Sequence, residues 1–134
     1  TAVLLLARPA LDAARGLHPV GGRRDADGGA ALVAAQLTDA PYGTVLYDHW
    51  YSWQWRYHLY DRGVYVAWVP HPAALARDLR AFGGSGQPRY LALPDTAAAR
   101  PFRRAVADAG FALTPVFSPP SGTIALYRIT EGPP

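Results

Sequence analysis

From residue 27 to residue 130 the apolar positions switch repeatedly between a helical and an extended spacing, and the order of the switches predicts an architecture. Ala30, Val33 and Leu37 recur at helical spacing behind Asp27, a suitable N-cap, and Pro41-Tyr42-Gly43 supplies the turn that follows. Thr44 to Tyr47 is a β-branched and aromatic run, predicted as a short buried strand that ends at Asp48. The stretch from His49 to Tyr60 contains neither glycine nor proline. It is predicted as a helix with two aromatic faces, Trp50, Trp53, Tyr57 and Tyr60 on one and Tyr51, Trp55 and His58 on the other. Val64 to Val69 is nearly continuous in apolar residues, as expected of a strand covered on both sides, and Pro70 ends it. Leu75, Leu79 and Phe82 then follow at helical spacing behind Pro72, until Gly83-Gly84-Ser85-Gly86 stops the helix. Arg89 to Leu93 is the third strand, closed by Pro94. Asp95 or Thr96 is placed to cap a helix that buries Phe102, Val106 and Ala109 and stops at Gly110.

Two further strands, Phe111 to Phe117 and Thr123 to Ile129, are joined by Ser118-Pro-Pro-Ser-Gly122. That link is too short for a crossover helix, so it predicts an antiparallel hairpin, with Pro115 best tolerated at an edge or bulge. The whole pattern predicts an α/β fold. Specifically, it predicts a three-layer Rossmann-like or flavodoxin-like sandwich, with a mostly parallel sheet of about five strands and a C-terminal antiparallel hairpin. Residues 1–26, broken by Gly16, Gly21 and Gly22, read as a connecting segment, and residues 27–134 as a single α/β domain. Thr1 to Ala7 is apolar but far short of the ~20 residues needed to cross a bilayer. It fits a helix turn, a strand, or the end of a span lying upstream.

Composition narrows the function classes. A chain of 134 residues, 50% hydrophobic and 17% charged, suits one folded domain and excludes intrinsic disorder. All 13 basic residues are arginine and they are scattered, for example Arg56, Arg77, Arg89, Arg103 and Arg128, so no nucleic acid is expected as a partner. The absence of cysteine excludes disulfides, thiolate metal sites and a cysteine nucleophile. His18, His49, His58 and His71 lack metal-ligand spacing, the glycine run sits at the wrong end of the sheet for a phosphate cradle, and Ser52 and Ser121 lack a nucleophile elbow. Neither a metal nor another cofactor is expected.

In open α/β sheets ligands bind beyond the carboxyl ends of the strands. The residues there are Asp48, His49 and Trp50 after the first strand, His71 after the second and Asp95 after the third. Carboxylate and imidazole side chains on one rim suit sugar-hydroxyl binding or acid and base work. Asp48 and Asp95 suit helix capping better, worth ~1 kcal/mol each, and His49 and His71 also suit solvated loops. Trp50 and Trp53, on the aromatic helix, add rings with polar handles suited to stacking on carbohydrate, to a membrane interface or to a protein contact. The ligand-binding candidates are therefore Asp48, His49, Trp50, Trp53, His71 and Asp95.

The run Gly43-Thr-Val-Leu-Tyr-Asp-His-Trp-Tyr-Ser-Trp-Gln-Trp-Arg-Tyr-His-Leu59 also carries a resemblance, together with Arg89-Tyr-Leu-Ala-Leu-Pro94, Ala109-Gly-Phe111 and Leu126-Tyr-Arg-Ile129. These resemble the soluble C-terminal domain of bacterial polytopic membrane glycosyltransferases related to the dolichyl-phosphate-mannose protein mannosyltransferases and the aminoarabinose transferases. The likeness covers about Asp27 to Thr130 in order and arrangement and includes no catalytic signature. It implies a parent enzyme that moves a sugar from a polyprenyl-phosphate donor to an acceptor on the outer face of the membrane. The acidic catalytic residue of such enzymes lies in an early extracytoplasmic loop, so no residue of this chain takes that role. The implied part is an extracytoplasmic accessory domain that helps position donor or glycan acceptor, with the parent's upstream transmembrane region as its partner. Arg8, Arg15, Arg23 and Arg24 run against that placement under the positive-inside tendency. A free-standing small-ligand binder and a protein-interaction module are the alternatives.

Overall fold

The computed structural model describes residue 11, residues 28–120 and residues 123–132. The Thr1 to Ala7 run, the rest of the connecting segment apart from Leu11, and the Asp27 cap lie outside the described residues. The elements are α1 (Ala30–Ala35), β1 (Thr44–Asp48), α2 (Ser52–His58), β2 (Val64–Trp68), α3 (Pro72–Phe82), β3 (Arg89–Pro94), a 3-10 turn (Ala97–Ala99), α4 (Arg100–Asp108), β4 (Phe111–Phe117) and β5 (Ile124–Glu131). The order across the sheet is β2-β1-β3-β5-β4.

The fold is α/β with a mixed five-stranded sheet. β1 pairs parallel with β2 and β3, whereas β5 pairs antiparallel with β3 and β4. The expected hairpin is present, but the sheet is not mostly parallel in its pairings, because β5 inserts between β3 and β4 instead of closing the edge. The short 118–122 link brings β5 back beside β4, and β5 carries apolar residues on both faces: Ile124 and Leu126 toward one core cluster, Tyr127 and Ile129 toward the other. Such a strand belongs in the interior of a sheet. Pro115 falls on the edge strand β4, next to a register shift between Pro115 and Phe117.

Strand alternation divides the core in two. Leu46, Ala92, Ile124 and Leu126 pack with Val33 and Leu37 near α1 and with Trp55 of α2. Tyr47, Leu91, Leu93 and Ile129 pack with Leu75 and Leu79 of α3 and with Phe102 and Val106 of α4. Burying each Leu, Val or Phe side chain in these clusters contributes ~1.5–3 kcal/mol.

Two helix starts differ from the sequence expectation. α2 begins at Ser52 rather than His49, because the Asp48 carboxylate accepts the Trp50 and Tyr51 amides and holds those residues in a turn. Neither Asp95 nor Thr96 caps α4 with its side chain. A 3-10 turn intervenes, Pro101 occupies the first turn of α4, and the Asp95 amide instead donates to the Thr123 carbonyl at 2.7 Å. Gly28 explains how the chain enters α1. Its φ is +58° and a Cβ there would lie 2.9 Å from Thr123 Oγ1, so any other residue would be strained against the start of β5.

Candidate functional site

Because β1, β2 and β3 run in the same direction, Asp48, His49, His71 and Asp95 all follow strand ends on one edge of the sheet. Their side chains do not converge into a catalytic set. Asp48 is fully buried. It accepts the Trp50 amide at 3.2 Å, the Tyr51 amide at 3.0 Å and the Ser52 hydroxyl at 3.1 Å, so its carboxylate builds the entry to α2. His49 Nδ1 lies 2.7 Å from the Val69 carbonyl; since a carbonyl only accepts, Nδ1 carries the proton and ties the end of β1 to the end of β2. His71 caps α3: its Nδ1 accepts the Ala74 amide at 3.2 Å, which leaves Nε2–H as the ring's donor. Asp95 is exposed at the turn into the 3-10 segment. Among the described residues no group of three or more His, Asp or Glu is arranged to hold a metal ion.

The two expected aromatic faces separate into a buried and an exposed one. Trp55 is fully buried, with Tyr51 and Leu59 beside it. Trp50 turns away from α2 and packs on Phe102, with ring centroids 4.9 Å apart, while His49 fills the space beside both rings. Trp53, Tyr57 and Tyr60 remain exposed, and the Arg56 guanidinium lies over the Trp53 ring at 5.7 Å.

A second polar cluster occupies the opposite face of β1, and sequence reading passed over it. The Tyr47 hydroxyl donates to the Asp78 carboxylate and accepts from Arg89 Nη1, while Arg89 Nη2 donates to Ser85 Oγ at 3.1 Å. Arg89 Nη1 also lies 3.8 Å from Asp78 Oδ2. Burial, reinforced by the hydrogen bond to the Asp78 carboxylate, pushes the Tyr47 phenol well above its ordinary value, so it stays protonated and donating. The signal was present in the alternation: Arg89 shares the parity of Leu91 and Leu93, and Asp78 lies one turn from Leu75, beside the buried stripe of α3. An arginine on a core-facing position requires a partner.

Tyr47 and Asp78 form part of the wall of a groove of about 570 Å³ between the edge strand β2 and α3. Tyr65, Trp68 and Phe82 bring exposed aromatic surface to it, and His71 and Arg77 bring polar ends. The groove combines ring faces, a carboxylate, a guanidinium and an imidazole donor. That inventory suits a polar ring-shaped ligand held by stacking and hydrogen bonds. Of the sequence candidates, only His71 lines it. In comparison with known proteins, the chain matches no family model, no curated protein and no solved structure.

Proposed function

We propose that this domain is a non-catalytic binding module whose ligand site is the groove between β2 and α3, and that the ligand is a glycosyl unit, phosphorylated or glycan-borne. The single observation that carries this reading is the composition of that groove: the aromatic residues Tyr65, Trp68 and Phe82 line it together with Asp78, Arg77 and His71. The Asp48 carboxylate and the His49 Nδ1–H, by contrast, are spent on backbone and hydroxyl groups of their own fold. Pyranose rings stack on aromatic faces, carboxylates accept from sugar hydroxyls, and a guanidinium complements a phosphate. Together with the sequence resemblance, this supports an accessory domain of a membrane glycosyltransferase on the extracytoplasmic face, tethered by upstream spans and presenting a polyprenyl-phosphate sugar or acceptor glycan to a catalytic centre elsewhere. Helices on both faces of β1 and β3 support reading the core as Rossmann-like or flavodoxin-like. Among the described residues no helix is long and apolar enough to cross a membrane.

The test is NMR titration of the chain with mannose 1-phosphate and with a short-chain polyprenyl-phosphate mannose. The Trp68 indole and the Arg77 amide should shift together, and Trp68→Ala should weaken binding at least tenfold while leaving thermal unfolding unchanged. Saturating ligand without perturbation at Trp68 would overturn the reading.

A protein-contact role is favoured by a different observation, the exposure of Trp53, Tyr57 and Tyr60 on α2. The probe for it is Trp53→Ala, since Trp55 lies wholly in the core.

A further inference from the structure

The two edges of the sheet are built differently. β4 carries Pro115 and a register shift, both of which interrupt strand pairing. β2, at the other edge, reads Val64-Tyr-Val-Ala-Trp68, with no charge, no proline and no bulge along its pairing with β1. The Gly63 carbonyl accepts from the Gly43 amide and the Val69 amide donates to the Asp48 carbonyl, so odd-numbered residues face β1. The amides and carbonyls of Val64, Val66 and Trp68 therefore point away from the sheet.

We propose that β2 pairs with β2 of a second copy of this chain, antiparallel about a two-fold axis at Val66, and makes one continuous ten-stranded sheet. In that register Val66 faces itself and Val64 faces Trp68 of the other copy, three outward residues on each side with matching donors and acceptors. Steric complementarity favours this register over one centred on Tyr65, and a register centred on Ala67 would set Pro70, which has no amide, opposite Val64. Tyr65, 68% exposed, lies opposite Ala67 of the other copy, and Trp68, 56% exposed, lies opposite Val64, so each large ring meets a small residue. Centring on Tyr65 instead would set two phenol rings against each other. A polar pair also fits: just beyond the strand the same register places the exposed Asp61 carboxylate, which meets Arg62 Nε at 3.1 Å, opposite His71, whose Nε2–H is a hydrogen-bond donor.

The exposed side chains at this edge supply a large part of the area that a stable dimer buries. Tyr60, Tyr65, Trp68 and Phe82, between 56% and 89% exposed, offer on the order of 500 Å² per copy before any backbone is counted. A stable interface needs roughly 800 Å² per partner. A two-fold perpendicular to the sheet sets α3 of each copy on the same face, so two β2–α3 grooves would join across the axis. The pairing rests on the strand edge itself and stands whether or not the groove holds a sugar.

The test is sedimentation of the full chain at up to about 100 µM, where twice the 14.4 kDa mass is expected. Val66→Pro removes an outward amide and no bond to β1; it should return the chain to monomer with its circular dichroism intact. Tyr65→Lys, on an exposed side chain, should do the same without touching the backbone. The chain has no cysteine, so Tyr65→Cys and Ala67→Cys can be mixed and oxidised. The mixture should cross-link far more than either variant alone, because these positions meet across the two-fold. A monomeric wild type overturns the proposal, as does a dimer that survives both edge variants or a mixture that gives no cross-link.

Discussion

Tyr47 and Asp48 are consecutive, both buried, and turned to opposite faces of the sheet, yet their polar groups do different work. Asp48 finds all its partners within four residues, at Trp50, Tyr51 and Ser52, and so shapes the chain that follows it. Tyr47 finds its partners 31 and 42 residues away, at Asp78 and Arg89, and so fastens α3 and β3 to β1. The first cluster is closed by its own loop. The second borders a groove, and its Asp78 side chain is 40% exposed. A buried carboxylate serving local amides is a folding device, whereas a polar cluster tying distant elements beside a cavity leaves groups in reach of a ligand.

The largest expected effect is at the closed cluster. Asp48→Ala strands two amides and a hydroxyl in a partly buried turn, and should cost about 3 kcal/mol in urea unfolding. Near-UV circular dichroism should change with it, because Trp50 and Trp55 lose their fixed settings. Asp48→Asn keeps one acceptor oxygen in place and should lose about half as much.

The open cluster should yield less. Arg89→Met replaces a buried cation by an apolar chain of similar reach, and Tyr47 keeps its bond to a carboxylate that touches water. The expected loss is about 1–2 kcal/mol, smaller than at Asp48, because the arginine's own desolvation is relieved. Tyr47→Phe should cost about 1 kcal/mol at pH 7. It should also change the alkaline profile. The Tyr47 phenol holds its proton in the folded state above the usual value, so its contribution is complete below pH ~10 and falls as pH rises from there. Urea midpoints taken from pH 8 to 11 should therefore fall less steeply in Tyr47→Phe than in the wild type.

How much of this was legible in the sequence follows the same division between local and distant. The strands, the helix over 72–82 and the hairpin could be read because period and turn residues are local signals, whereas Asp48, expected as a helix cap, holds the turn ahead of α2 and leaves the N-cap position to Tyr51. The order β2-β1-β3-β5-β4 could not, because the insertion of β5 is decided by which faces it buries against β3 and β4. The groove was missed for a related reason: Tyr47, Asp78 and Arg89 lie on three different elements, and rim residues at strand ends drew attention instead. Parity is enough to mark Arg89 as inward, but nothing local identifies its partners.

His71 supplies the smallest and sharpest test, because it belongs to both categories at once. Its Nδ1 serves the local Ala74 amide, as Asp48 serves Tyr51, while its ring borders the groove, as Asp78 does. His71→Ala should cost about 0.5–1 kcal/mol by uncapping α3, less than Asp48→Ala because the site is exposed and water replaces the cap. His71→Asn restores an N-cap acceptor and should recover most of that stability, but it does not restore an imidazole donor at the groove. If the groove binds a glycosyl ligand through that donor, the asparagine variant will unfold like the wild type and bind several-fold more weakly. Equal binding by the two would assign His71 to the fold alone and leave Arg77, Asp78 and the rings of Tyr65 and Trp68 as the groove's recognition groups.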